Sequence, residues 1–184
     1  MPLTYDERIE RLRASIKTIP DYPKPGILFY DITSLCECAG AFADTIELLV
    51  ERYKGMQIDQ IIASEARGFV FGAPVAARLG VGFVMARKPK KLPRETVWEG
   101  YDLEYGTAEL HVHRDTIRPG SRVLVIDDLL ATGGTAAAMV KLVKKLGGVV
   151  VESGFVIELP DLKGAELLAQ AGSPTFSLLK FEGA

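Results

Sequence analysis

The 184-residue sequence lacks most of the features that would send it to a membrane, a secretory route or a nucleic acid. Cys36 and Cys38 are its only cysteines. They stand one residue apart, too close to staple distant segments and unlike the CxxC redox spacing, so free thiols are expected. No stretch approaches the roughly 20 consecutive apolar residues that a membrane helix requires. Asp6, Glu7 and Glu10 near the N-terminus do not fit a signal peptide, and a cytoplasmic location is expected. Nor is there an excess of charge: 22 Lys and Arg face 24 Asp and Glu, a formal net charge of -2, which leaves no general basic surface for nucleic acid or a membrane. Internal repeats and low-complexity tracts are missing as well. The two histidines, His111 and His113, alternate with Leu110 and Val112 as polar positions of a strand and have no metal-ligand companions nearby.

What is present is apolar content of 48%, enough for one domain with a substantial core and small appendages. A single domain over residues 1–184 is expected. Thr4 and Glu7 form a capping-box pattern, after which Ile9, Leu12, Ile16 and Ile19 recur at helical spacing. The opening helix should therefore end near Pro20, with a spare apolar stripe. Residues 20–26 (PDYPKPG) are too stiff to join a central strand and deliver the short apolar piece Ile27, Leu28 and Phe29. A second helix follows over residues 39–53, where Phe42, Ile46, Leu49, Val50 and Tyr53 share a face.

Short apolar runs, glycine-containing turns and helical stretches then alternate. Residues 58–63 lead into a helix at 69–79, and residues 122–126 into one at 136–146. Further strands are expected at 81–86, 149–158 and 175–181, with a helix around 163–170. This order predicts an α/β fold with a central, mainly parallel sheet flanked by helices on both faces. Residues 89–106 carry no clear period, the pattern of a lid or a disordered loop.

The most informative stretch runs from Val123 to Thr135, VLVIDDLLATGGT. Four continuous apolar residues make a strand buried on both faces, and a helix is expected just past Thr135, so the intervening loop lies at the carboxyl end of a parallel strand, where open α/β sheets bind ligands. Ala131, Thr132, Gly133, Gly134 and Thr135 supply two hydroxyls and a backbone free to curl, so that several N–H groups and a helix N-terminus converge on an anion. The stretch is neither a P-loop nor a Rossmann fingerprint. Asp127 and Asp128 would repel a phosphate they touched, so they are expected to accept hydrogen bonds from neutral hydroxyls beside it. A ribose 5-phosphate offers that combination.

Residues 61–69 (IIASEARGF) repeat the strand, turn and helix, which brings Arg67 to the same edge of the sheet, where a guanidinium suits a diphosphate. Residues 87–94 (RKPKKLPR) place five cations in eight positions after another strand; Lys88 and Lys91 are the strongest candidates for meeting a polyanion.

Together these segments resemble the type I phosphoribosyltransferase family, over nearly the whole chain and most strongly at residues 23–33, 64–72, 87–110 and 122–135. The resemblance implies transfer of the phosphoribosyl group from phosphoribosyl pyrophosphate to a base, with release of pyrophosphate. Asp127 and Asp128 would bind the 2- and 3-hydroxyls, residues 131–135 the 5-phosphate, and the Arg67 turn the pyrophosphate, with a cis peptide at Glu65–Ala66. Magnesium would be carried mainly by the substrate, with no dedicated protein ligands. The motif of residues 123–135 names the class and not the base. The adenine-specific branch is the one that residues 98–106 and 25–29 resemble, which implies AMP as product. On that pattern Glu104 acts as acid or base beside the ring and Tyr105 helps close the site. Residues 1–35 form a helix and hood in which Phe29 stacks on the base and Leu28 offers its backbone, while Leu159 closes the opposite face. A homodimer is also implied. One departure stands out: the family usually has Arg before Asp-Ile-Thr, where this chain has Tyr30.

Overall fold

In a computed structural model, residues 3–102 and 107–182 are described. Nine strands and six α-helices are found among them. Helix α1 (Tyr5–Ser15) opens on the expected capping box: Glu7 N–H bonds to Thr4 Oγ1, and the Glu7 carboxylate accepts from Thr4 N–H. A cap of this kind contributes about 1 kcal/mol. The helix stops five residues before Pro20. Ile16 is its C-cap in extended conformation, and strand β1 (Lys17–Pro20) then pairs antiparallel with β2 (Leu28–Asp31). The Ser34 hydroxyl bonds to Lys17 N–H and to the Ser15 carbonyl, which fixes that exit. The apolar stripe is not spare: Leu12 and Ile16 are buried and Ile9 packs into the same cluster, while Ile19 points to solvent.

Asp31 caps a short helix α2 (Ile32–Glu37) through Thr33 N–H, an element that the sequence pattern did not announce. Helix α3 (Ala39–Tyr53) has the expected bounds. There follow β3 (Gln60–Ser64), α4 (Arg67–Leu79), β4 (Gly82–Ala86), β5 (Thr96–Asp102), β6 (Thr107–His113), β7 (Arg122–Leu130), α5 (Gly134–Lys145), β8 (Val149–Glu158), α6 (Gly164–Gln170) and β9 (Thr175–Lys180).

The central sheet is wholly parallel, in the order β4-β3-β7-β8-β9. Its central strands are buried on both faces, which is why their sequences read as continuous apolar runs rather than alternating ones. Ile61, Leu124 and Ile126 face a core shared with α1 to α4; Ile62, Val123 and Val125 face a second core built with α5, Leu110 and Val112. The chain leaves β3 toward β4 on one side and leaves β7 toward β8 on the other. Connections that diverge from neighbouring strands open a crevice above their carboxyl ends, and this switch point lies between β3 and β7.

Residues 89–106 are not wholly without structure. Strand β5 pairs with β6 as a two-stranded ribbon against α5. Val97 and Tyr101 pack into the second core, but Glu99 occupies the same face between them, paired with Lys145 at 3.0 Å and Lys141 at 3.8 Å. A carboxylate on the inward face removed the period-2 signal. No helix among the described residues is long and apolar enough to cross a membrane.

Candidate active site

A cleft of about 260 Å³ occupies the switch point. Its walls are the turn after β3 (Ser64, Glu65, Ala66, Arg67), the carboxyl end of β7 with Asp127 and Asp128, residues 131–135, and Tyr101 of the ribbon. The two helices that begin there, α4 and α5, have no side-chain cap hydrogen bond. Apart from Phe69, whose N–H bonds to the Ala66 carbonyl, their first-turn N–H groups are therefore left for an anion. Helix α5 starts at Gly134, two residues earlier than expected. Gly133, in left-handed conformation with φ 84°, acts as its N-cap, so Gly134 and Thr135 belong to the first turn and the loop is also the helix N-terminus.

Gly133 has a second reason to lack a side chain. A Cβ there would meet the carbonyl oxygen of Gly164 at 2.9 Å and its Cα at 3.1 Å, while a Cβ on Gly164 would collide with the Ala131 carbonyl. The start of α6 thus lies back to back with the loop and fixes its curl. Gly134 is approached by the Asp102 carbonyl at 3.3 Å, measured to a Cβ built on it. This puts the end of β5 directly over the loop.

The acidic pair divides into an inner and an outer carboxylate. Asp127 Oδ2 accepts from Ser64 Oγ at 2.8 Å and its Oδ1 accepts from Asp128 N–H at 3.0 Å. Gly68, at the start of α4, passes so close that a Cβ there would lie 2.6 Å from Oδ1. Burial first, and the neighbouring Asp128 charge second, push the Asp127 carboxyl up to about 8. Burial also holds the Asp128 carboxyl above its ordinary range, with the Arg67 guanidinium pulling the other way. Arg67 Nε lies 2.9 Å from Asp128 Oδ2 as an ion pair, yet that oxygen accepts no aligned hydrogen bond. Asp128 is thus the carboxylate with an oxygen lacking a hydrogen bond, and Arg67 covers it.

The Glu65–Ala66 peptide is cis, as the resemblance implied. The basic loop starts beside it: Lys88 N–H and the Arg87 guanidinium both bond to the Glu65 carboxylate. Lys88 and Lys91 are exposed and are not among the cleft's lining residues. Leu28 and Phe29 are half-buried in β2, with Phe29 edge-on to Tyr22 at 5.1 Å, and Leu159 is buried in the first core just after β8. These three do not line the cleft either. The hood is nevertheless its neighbour. Asp31, at the end of β2, is held below its ordinary range by hydrogen bonds from Thr33 and then by the charges of Lys17 and Arg67. Glu104 and Tyr105 lie outside the described residues.

Tyr30, where the family usually has Arg, stacks on Phe181 with ring centroids 4.3 Å apart and 28° between planes, and Arg13 lies 5.0 Å over the other aromatic. The residue thus joins the hood to the end of β9. Sequence reasoning also missed Ser64 and Tyr101 as cleft residues, and placed Glu65 in the turn without its contacts to the basic loop. Ser64 was findable in principle, because β3 and β7 run in register up to Ala63 and Ile126, which places the next residue, Ser64, beside Asp127. Tyr101 belongs to the ribbon whose period was hidden.

Residues 34–168 match the phosphoribosyl transferase domain. A curated relative, the adenine phosphoribosyltransferase of Psychromonas ingrahamii, is 61% identical over 175 residues, covering 95% of this chain and 97% of its own. The chain belongs to the adenine phosphoribosyltransferase family. The fold agrees with that membership. The crystal structure of the Thermoanaerobacter pseudethanolicus adenine phosphoribosyltransferase is 51% identical and superposes with a TM-score of 0.89, covering 94% of this chain and 99% of that one. The Saccharomyces cerevisiae enzyme, solved with adenine and an imino-altritol bisphosphate, is 38% identical with a TM-score of 0.88, over 95% of this chain and 99% of that one.

Proposed function

We propose that this protein transfers the 5-phosphoribosyl group of phosphoribosyl pyrophosphate to adenine, releasing AMP and pyrophosphate as a step of purine salvage. The observation that carries this reading is the meeting of the Arg67 turn and residues 131–135 about one carboxylate pair, in a chain of this family. In this reading the 5-phosphate sits on the N–H groups of residues 131–135 and the α5 N-terminus, and the ribose hydroxyls donate to Asp128. Asp127 backs Asp128 from within. The diphosphate takes Arg67 away from Asp128, so one substrate supplies both an anion for the cation and a diol for the acid.

Adenine meets the hood at Leu28 and Phe29 and is bounded by Leu159. Its ring nitrogen attacks C1 of ribose as the C1–O bond to pyrophosphate breaks, and Glu104 handles the ring proton. Tyr105 and Tyr101 close over the cleft, which keeps water from the oxocarbenium-like ribose. Lys88 and Lys91 add positive charge on the pyrophosphate side.

Among the described residues no group of three or more His, Cys, Asp or Glu is placed to cage a metal. The outer carboxylate at the cleft fits a magnesium ion held on substrate oxygens and touched by protein at most through Asp128. When bound, that ion neutralises the leaving diphosphate. A cytoplasmic homodimer completes the proposal, its assembly being read by sedimentation.

A direct assay tests the whole. Adenine, phosphoribosyl pyrophosphate and magnesium should give AMP and pyrophosphate, and hypoxanthine little product. Preference for hypoxanthine would overturn the base assignment. Binding of phosphoribosyl pyrophosphate with no magnesium-dependent turnover would make the chain a ligand-binding regulator instead.

A further inference from the structure

Glu65 stands where two cationic segments meet. Its N–H bonds to the Ala86 carbonyl at 3.0 Å, which zips the first residue of the Arg67 turn to the end of β4. Its carboxylate then reaches along the loop that follows β4. Oε1 accepts from Lys88 N–H at 2.5 Å, and Oε2 accepts from the Arg87 guanidinium at 3.3 Å. The same guanidinium donates to the Lys91 carbonyl at 3.2 Å, so Arg87 closes residues 87–91 into a bend in which Lys90 is left-handed, with φ 64°. Glu65, Arg87 and the Lys91 carbonyl thus form one chain of contacts from the turn to the far side of the basic loop.

A carboxylate in the wall of a polyanion site is unfavourable unless its charge is committed to cations. Glu65 Oε2 is committed to the Arg87 guanidinium and Oε1 to the backbone N–H of Lys88, and its side chain is only 15% exposed. Burial raises its pKa, but the Lys88 N–H and the Arg87 guanidinium outweigh that and keep the carboxyl below its ordinary range, so it is ionised at neutral pH. We propose that Glu65 is a positioning residue that fixes the loop of residues 87–91 against the Arg67 turn, so that the cations of both segments bear on one diphosphate. This rests on the reading of the Arg67 turn as the pyrophosphate side.

The test is calorimetric titration of magnesium pyrophosphate and, separately, of AMP into the wild type, Glu65→Gln, Glu65→Ala and Arg67→Ala. Glu65→Gln keeps an acceptor for Lys88 N–H and loses the ionic hold on Arg87; Glu65→Ala loses both. Pyrophosphate affinity should fall about tenfold in the first and further in the second, as loss of charge-assisted bonds implies, with AMP affinity within twofold of wild type. Equal weakening of AMP and pyrophosphate would mean general damage and overturn the proposal. Unchanged pyrophosphate affinity in both Glu65 variants, with loss in Arg67→Ala, would overturn it while leaving the cleft reading intact. Unchanged affinity in Arg67→Ala as well would remove the reading beneath it.

Discussion

Replacing Gly133 by alanine tests whether the phosphate loop is held by backbone contact with α6. The substitution has two separable costs. A left-handed conformation, here φ 84°, costs an alanine about 1–2 kcal/mol. The new Cβ would also meet Gly164 O at 2.9 Å and Gly164 Cα at 3.1 Å. Both are backbone atoms, and Gly164 is itself pressed against the Ala131 carbonyl, so neither side yields without moving the loop. Overpacking of this kind costs roughly 1–3 kcal/mol more. Gly80→Ala supplies the control: its φ is 69°, but a Cβ there meets nothing within 4 Å, so only the conformational cost applies. Denaturant unfolding of both variants should therefore place Gly133→Ala about 1–3 kcal/mol below Gly80→Ala. For a domain of this size the melting temperature should drop by roughly 2–4 °C for each kcal/mol. Calorimetry should show AMP affinity at least about tenfold weaker in Gly133→Ala and unchanged in Gly80→Ala, since a displaced loop loses its convergent N–H groups. Equal stability of the two variants, together with normal AMP binding, would refute the account of the loop.

Two further measurements bear on the acid groups. Asp127 keeps its proton in the folded state up to about 8, whereas the unfolded chain releases it near 3.8. Its contribution to stability is therefore full below the lower value and is lost as pH rises toward the upper one, so the unliganded protein should become less stable from pH 5 to 8 and Asp127→Asn should flatten that slope. Carboxylates held below their ordinary range, such as Glu51 and Glu65, give the opposite slope, but only at more acidic pH, so a stability profile rising from pH 5 to 8 would contradict the burial of Asp127. At the base, Glu104→Gln should lower turnover by about 100-fold or more with adenine binding largely retained; normal turnover would return Glu104 to an ordinary loop carboxylate.

The phosphate half of the site was legible because its determinants are local. A doubly buried strand, two acids and a glycine-rich turn are contiguous in residues 123–135, and the strand, turn and helix after Ile61 repeat the construction. What escaped was whatever depends on pairing across the fold. Ser64 becomes a cleft residue only through the β3–β7 register, and Glu65 acquires partners only because β4 ends beside it. Ribbon β5–β6 was concealed by Glu99, whose place on an inward face makes sense only once Lys141 and Lys145 of α5 are opposite. The opening helix was overextended for a related reason. Ile16 keeps the helical spacing, but Ser34, eighteen residues away, draws the chain into a strand through Lys17 and Ser15.

The charges of the cleft follow one logic. A buried carboxylate next to another is unfavourable unless a proton or a cation is shared with the pair, and both are present here: Asp127 sits beside the Ser64 hydroxyl with its pKa raised, and Asp128 lies against Arg67. The arrangement draws on both sides of the switch point, because Arg67 enters from the β3 turn and the acids from β7. A ligand with only phosphate would separate Arg67 from Asp128 and leave a buried acid without its counterion, while a ligand with only hydroxyls would leave the bare N–H groups of α4 and α5 unused. A ribose carrying phosphate at one end and diphosphate at the other meets both demands at once, which is the physical reason why this geometry suits a phosphoribosyl donor better than a simple anion or a free sugar.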